Sequence, residues 1–207
     1  MFFFCFFFKD PPTPDISTLS LHDALPIYPY LCTEQLVSRA LAVLALREHP
    51  DLGPGADRVR EATRQALRAL RERQNDEGAF GVWAANATVS YFQNVYALQF
   101  LTEAKAQGLE VQSMLDAGLA WLRASEANDG GGLAGLRTRA NAAYVLACNG
   151  EVPSDMLGDL REDLAALGSD DWEQDITAAY LAATYRLLEM RDEAQRLIKR
   201  GSFDALG

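Results

Sequence analysis

Histidine is almost missing from this chain. Only His22 and His49 occur in 207 residues, so a zinc centre of clustered Asp, Cys and His has no histidine to draw on past residue 49. Cysteine is scarce too. Cys5, Cys32 and Cys148 make no disulfide framework in a chain of this length, and they leave the redox compartment open. Basic charge is short: 19 Lys and Arg stand against 29 Asp and Glu, a net charge of −10. That balance argues against nucleic acid or an anionic membrane as the main partner, since both select basic surface. Downstream of residue 8 no apolar run approaches the roughly 20 residues that span a bilayer, and no useful length alternates as a strand does. What is left is a chain long enough for one domain with a sizeable core, and its periodicity is helical.

The first 27 residues stand apart. "MFFFCFFFKD" places Lys9 after its apolar run, whereas a secretory signal carries its positive charge before it and a small-residue cleavage site after. "TLSLHDALPI", residues 18–27, resembles the in-frame translation of a common sequencing adapter. Residues 1–27 are therefore expected to be a non-native leader fused to a truncated gene, with Cys5 and His22 carrying no function. Lys9 against Asp10, Asp15 and Asp23 makes that leader −2 of the −10, so residues 28–207 stay acidic.

From Tyr28 onward helix follows helix. Val37, Leu41 and Leu44 share one face of the first. Residues 58–73 form a charged helix with Val59, Ala62, Ala66 and Leu70 on one side. Residues 88–107 align Phe92, Val95, Gln99 and Thr102, and residues 113–125 align Leu115, Leu119 and Leu122. A small-residue helix over 137–149 stops at Gly150, a C-cap glycine. Residues 153–167 align Leu157, Leu160, Leu164 and Leu167, residues 174–190 align Ile176, Ala179, Ala183 and Leu187, and a short helix follows Asp192.

These helices fall into pairs closed by loops of one flavour: "QNDEGAFGVW" (74–83), "EANDGGGLAG" (126–135) and, more weakly, "GSDDWEQD" (168–175). Asn75, Asn128 and Ser169, which open the loops, lie 53 and 41 residues apart. Paired helices at such a period imply a repeat whose units bury their faces against neighbours. An irregular helical bundle accounts for the helices but not for the loops. The expected fold is all-α, with the pairs in a closed or partly closed α/α arrangement; glycine-and-aromatic loops between paired helices resemble the α/α toroid of terpenoid cyclases, prenyltransferases and macroglobulin thioester domains, and that resemblance implies a toroid that is incomplete in this chain.

At the mouth of the first helix stands "YPYLCTEQLVSRAL", residues 28–41. Cys32 and Gln35 are three apart, which makes them neighbours on one face of a first helical turn. This segment is similar to the thioester segment of bacterial alpha-2-macroglobulins, Tyr-Pro-Tyr-Gly-Cys-x-Glu-Gln before a helix. "SYFQNVYALQFLTEAKAQGLEV" (90–111) followed by "MLDAGLAWLR" (114–123) resembles the next helix pair of that domain. The resemblance covers essentially all of residues 28–207. One position departs from it: Leu31 stands where the family has glycine.

The resemblance implies an internal thioester between Cys32 and Gln35, flanked by Tyr28, Tyr30, Thr33 and Glu34. It implies a broad protease trap rather than an enzyme. A protease cuts a bait segment, the whole molecule rearranges, and an amine of the protease is captured covalently. The partners implied are the target proteases and the other macroglobulin domains of a full-length chain. The location implied is the periplasm or cell envelope. No metal or cofactor is expected. Tyr28, Tyr30, Tyr91 and Phe92 are candidates to shield the bond from water. Some members of the wider family add a downstream histidine that turns preference toward hydroxyls. With none in the second or third loop here, direct attack by amines is expected.

Two other functions fit the same frame. One is a toroid enzyme of the terpenoid-cyclase or prenyltransferase kind; the other is a structural helical-repeat binding module with an inert Cys32. The first would use a carboxylate cluster, and "DDWEQD" offers Asp170, Asp171, Glu173 and Asp175. Acidic residues before a helix are equally expected as caps and dipole partners. Cys148, Trp83, Trp121 and Trp172 are expected to pack. "NDEG" and "NDGG" read as turns.

Overall fold

The computed structural model describes residues 31–46, 56–85, 88–125 and 131–201. Among these it contains eight α-helices: α1 (Thr33–Leu46), α2 (Ala56–Arg73), α3 (Tyr91–Ala106), α4 (Gln112–Ala124), α5 (Gly132–Cys148), α6 (Ser154–Ala166), α7 (Ile176–Leu187) and α8 (Arg191–Arg200). A 3₁₀ turn (Asp171–Gln174) precedes α7. The leader, Tyr28, Tyr30, His49 and "NDGG" up to residue 130 lie outside the described residues.

Contacts between helices sort them into two layers. α1 packs on α3, α3 on α5 and α5 on α7; each of these also packs on the helix that follows it, α2, α4, α6 or α8. Odd-numbered helices thus form an inner row and even-numbered helices an outer one, which is the α/α toroid arrangement expected from the paired pattern. Composition explains the assignment. An inner helix is covered on several sides and cannot be amphipathic in the ordinary way. α3 buries Val95, Ala97, Leu98, Phe100 and Leu101 around its circumference, and α5 buries Ala140, Ala142, Ala143, Val145 and Leu146. The alanines of α5 let α3 and α7 approach closely. The outer α2 is polar except for the side carrying Val59, Ala66 and Leu70, all buried. In α8 Ala194 is the buried residue.

Helix ends follow the usual chemistry of unsatisfied backbone groups. Ser90 caps α3, its hydroxyl accepting from Gln93 N at 3.4 Å. Gly150, at φ +84°, follows α5 and donates to Ala147 O at 3.0 Å. Several expected boundaries shift. α5 begins at Gly132, five residues before the expected 137: Gly132 opens it at φ +70°, and Gly135, which reads as loop, lies within it and is buried. α3 begins at Tyr91 rather than 88, behind its Ser90 cap. α7 ends at Leu187, before Glu189 turns to φ +61°. Phe92, Leu167 and Leu187, expected on aligned stripes, are exposed.

Candidate functional site

α1 opens in a way that joins Cys32 to Gln35. The helix proper starts at Thr33, so Cys32 is its N-cap residue rather than part of the first turn: its carbonyl accepts from Leu36 N at 3.0 Å. Gln35 is then the third helical residue, and its side-chain Oε1 reaches back to accept from the Cys32 backbone N–H at 3.2 Å. This is the returning half of a capping box, in which the third residue's side chain satisfies the cap's own N–H. The side-chain carbonyl of Gln35 is thereby held against the residue that carries the thiol. Cys32 is a free, half-buried cysteine, while Gln35 and Glu34 are exposed.

Thr33, read from sequence as a spacer within the motif, is the anchor of the segment. It is fully buried. Its N–H donates to Val82 O at 2.9 Å, and its hydroxyl donates to Gly81 O at 2.7 Å. Arg73 at the end of α2 then donates from Nη1 to Thr33 Oγ1 at 3.1 Å and from Nη2 to Leu31 O at 2.7 Å. The start of α1 is thus seated on the loop that leaves α2.

That loop is "QNDEGAFGVW", and its sequence explains its rigidity. Asn75 Oδ1 accepts from Glu77 N at 3.1 Å and Ala79 N at 2.9 Å, a side-chain-closed turn. Gln74 Nε2 donates to Gly78 O and to Met114 O, each at 2.9 Å, tying the loop to α4. Gly78 sits at φ +93°, and a Cβ there would lie 2.2 Å from Ala117 O, so glycine is required on both counts. Phe80 is buried, with its backbone N–H and carbonyl both held by the Asn94 side chain of α3, at 2.6 and 3.0 Å. The recurring loop, legible in the sequence as a repeat marker, is the bed on which the start of α1 rests. Nothing local in the sequence signals that Thr33 and Arg73 meet there.

The other candidates fall elsewhere. Tyr28 and Tyr30 lie outside the described residues. Tyr91 is buried with its ring centroid 6.1 Å from that of Trp121, and Phe92 stacks on Tyr96 at 5.9 Å. Trp121 and Trp172 pack against the core as expected, but Trp83 does not: it is 56% exposed, just past the loop residue that holds Thr33. Cys148 also packs against the core, and burial pushes its thiol above the ordinary cysteine range. In "DDWEQD" two of the carboxylates serve structure. Asp175 caps α7, accepting from Thr177 N at 2.9 Å, and binds Arg137 Nε at 3.0 Å; Glu173 pairs with Arg200 at 2.5 Å. Among the described residues no group of three or more His, Cys, Asp or Glu could hold a metal ion, and no helix is long and apolar enough to cross a membrane.

Comparison with known proteins adds the remaining findings. No family model matches the chain. It is 37% identical over 190 residues to an alpha-2-macroglobulin homolog of Yersinia pestis, covering 90% of this chain and 10% of the relative. It is 33% identical to an alpha-2-macroglobulin of Rickettsia conorii, covering 86% of this chain and 10% of the relative. The chain therefore spans about a tenth of the length of the curated relatives it matches. Its fold superposes on Salmonella alpha-2-macroglobulin reacted with methylamine, with a TM-score of 0.69 at 21% identity over 89% of this chain and 13% of that one. It superposes on native Escherichia coli alpha-2-macroglobulin with a TM-score of 0.65 at 21% identity over 87% and 12% of the two chains.

Proposed function

Since the chain belongs to the alpha-2-macroglobulin family, we propose that it is the thioester-bearing part of a covalent protease trap. The observation that carries this is the Cys32 N–H to Gln35 Oε1 hydrogen bond. It holds the electrophilic carbon beside the thiol residue and, by drawing on the carbonyl oxygen, polarises that carbon.

Ring closure then needs only local chemistry. Cys32 Sγ attacks the Gln35 side-chain carbonyl carbon, a C–S bond forms, the C–N bond breaks, and ammonia leaves with the thiol proton. The acyl group is now activated, because a thiolate, with an ordinary thiol pKa of about 8.5, leaves far more readily than an amide nitrogen. An amine attacks the same carbon, a new C–N bond forms, the C–S bond breaks, and the amine's proton passes to the sulfur. Gln35 ends as a substituted amide and Cys32 as a thiol. In the trap this amine is a lysine of the attacking protease. The product stays attached, so the chain acts once and does not turn over. Other domains of a longer chain carry the bait and cover the bond, in the periplasm or cell envelope. Two likenesses support the reading: the Salmonella protein's structure was obtained after reaction with methylamine, and E. coli alpha-2-macroglobulin after activation by trypsin.

Methylamine treatment of the full-length protein, followed by peptide mass measurement and thiol counting, is the test. One methylamide at Gln35 and one new thiol at Cys32 are expected. An unmodified Gln35 and no new thiol would leave Cys32 an inert cysteine in a structural repeat.

A further inference from the structure

The side chain that grips the reactive segment from outside is Arg73. It is the last residue of α2, half-buried, and lies more than one helix away from Cys32 in sequence. Its guanidinium is spread across Cys32: Nη2 donates to the carbonyl of Leu31, before the cysteine, and Nη1 to the hydroxyl of Thr33, after it. Two acceptors at fixed separation suit a planar fork and not the single point charge of lysine. Its own backbone is fixed as well, since Arg73 O accepts from Gly81 N at 3.0 Å at the start of the stretch whose carbonyls hold Thr33.

Arg73 also lacks the usual counter-ion. Arg123, Arg137, Arg139 and Arg200 each reach across the fold to a carboxylate. Among the described residues no carboxylate lies within ion-pair distance of Arg73, whose two acceptors are both neutral. A partly desolvated cation without a paired anion is unfavourable unless it has something to stabilise. Burial pushes the Arg73 guanidinium below its ordinary range; the Cys32 sulfur, and after it the Glu72 carboxylate, act in the opposite direction. The residue between its two acceptors is Cys32, whose sulfur leaves when the thioester opens.

We propose that Arg73 is a positioning residue of the thioester, fixing Cys32 through Leu31 and Thr33 and placing an uncompensated positive charge where the departing thiolate develops. This rests on the thioester assigned above. When an amine displaces the sulfur, the C–S electron pair goes to Cys32 Sγ, and the guanidinium stabilises that negative charge until the amine's proton arrives. Arg73 itself neither gains nor loses a proton.

The experiment uses the full-length protein as wild type, Arg73→Met, Arg73→Gln and Arg73→Lys. Intact mass reads the fraction of chains lacking one ammonia, and thiol release with methylamine reads the opening rate per closed chain. Wild type is expected to show the ammonia deficit. Arg73→Met and Arg73→Gln are expected to open about tenfold more slowly, the size of one charge-assisted hydrogen bond, and Arg73→Lys to open within about threefold of wild type, since it keeps the charge, but with a smaller closed fraction, since it loses the two-acceptor fork. Both neutral variants opening at the wild-type rate, or Arg73→Lys opening as slowly as they do, overturns the assignment to Arg73 and leaves the thioester standing. If Arg73→Met does not fold, Arg73→Gln decides alone. A wild type without the ammonia deficit overturns the thioester and the role of Arg73 together.

Discussion

The pair Cys32 and Gln35 could be read from the sequence because their relationship is local, three positions apart with a helix following. Thr33 and Arg73 could not, because what defines them is an encounter across 40 residues. A threonine in a first turn looks like a helix starter, and an arginine closing a charged helix looks like a dipole partner. Only the folded chain shows that the threonine is buried and the arginine turned inward. Leu31 reverses the case. The sequence marks it as a departure, since the family has glycine there, and glycine would matter if the backbone needed a left-handed turn. What Leu31 contributes is its main-chain carbonyl, which accepts from Arg73 and is present whatever the side chain. Leu31→Gly is therefore expected to leave methylamine uptake at Gln35 unchanged in the full-length protein. It should lower unfolding stability by up to about 1 kcal/mol, because glycine widens the unfolded ensemble. Mass measurement of uptake beside urea unfolding checks both, and an increase in uptake would show that the leucine side chain obstructs ring closure.

At the scale of elements, the pairing of helices was legible because each outer helix keeps an apolar stripe at helical spacing, and the loops between pairs repeat their glycines and asparagines. What periodicity missed lies in the inner row. α5 is buried nearly all round, so it offers no polar face to mark its start, and its opening glycines read as loop. The third loop was ambiguous between a metal cluster and a cap, and the structure gives it to the cap. Asp175 joins α5 to α7: it caps α7 through Thr177 and takes two bonds from Arg137, at 3.0 and 2.5 Å. Burial alone would raise its pKa; the bonds from Arg137 and Thr177 outweigh that and hold the carboxyl below its ordinary 3.8. A carboxyl depressed by folding stabilises the fold above its unfolded pKa, and that contribution fades as pH falls from about 4 through the folded value. Asp175→Asn keeps a cap but loses the ion pair with Arg137, and is expected to lose up to about 1 kcal/mol at pH 7, with the difference from wild type shrinking below pH 4. Denaturant unfolding of both proteins at pH 7 and pH 3 reads this. A deficit that stayed constant with pH would mean that the carboxylate charge contributes nothing.

The whole molecule sets what the site can hold. The first helix pair and its loop hold Leu31 and Thr33, on either side of Cys32, through Arg73, Gly81 and Val82. Gln35 is exposed, and so are Trp83, Val89 and Phe92, which belong to or follow the loop carrying Gly81 and Val82. Of the four aromatics expected to shield the bond, Tyr91 lies beside Trp121 and Phe92 against Tyr96, while Tyr28 and Tyr30 lie outside the described residues. An activated acyl carbon, as proposed for Gln35, survives only where water is excluded, and among the described residues Gln35 is exposed. It follows that positioning and protection are separate tasks here. The first is built into residues 31–82, and the second requires surface from beyond the four helix pairs. Residues 28–207 prepared alone are expected to fold, to carry a free thiol at Cys32, and to show no stable loss of one ammonia by intact mass. Full-length protein prepared in parallel is expected to show that loss. An ammonia deficit persisting in the isolated segment would mean that the segment excludes water from Gln35 by itself, and that the exposed side of α1 closes without a partner domain.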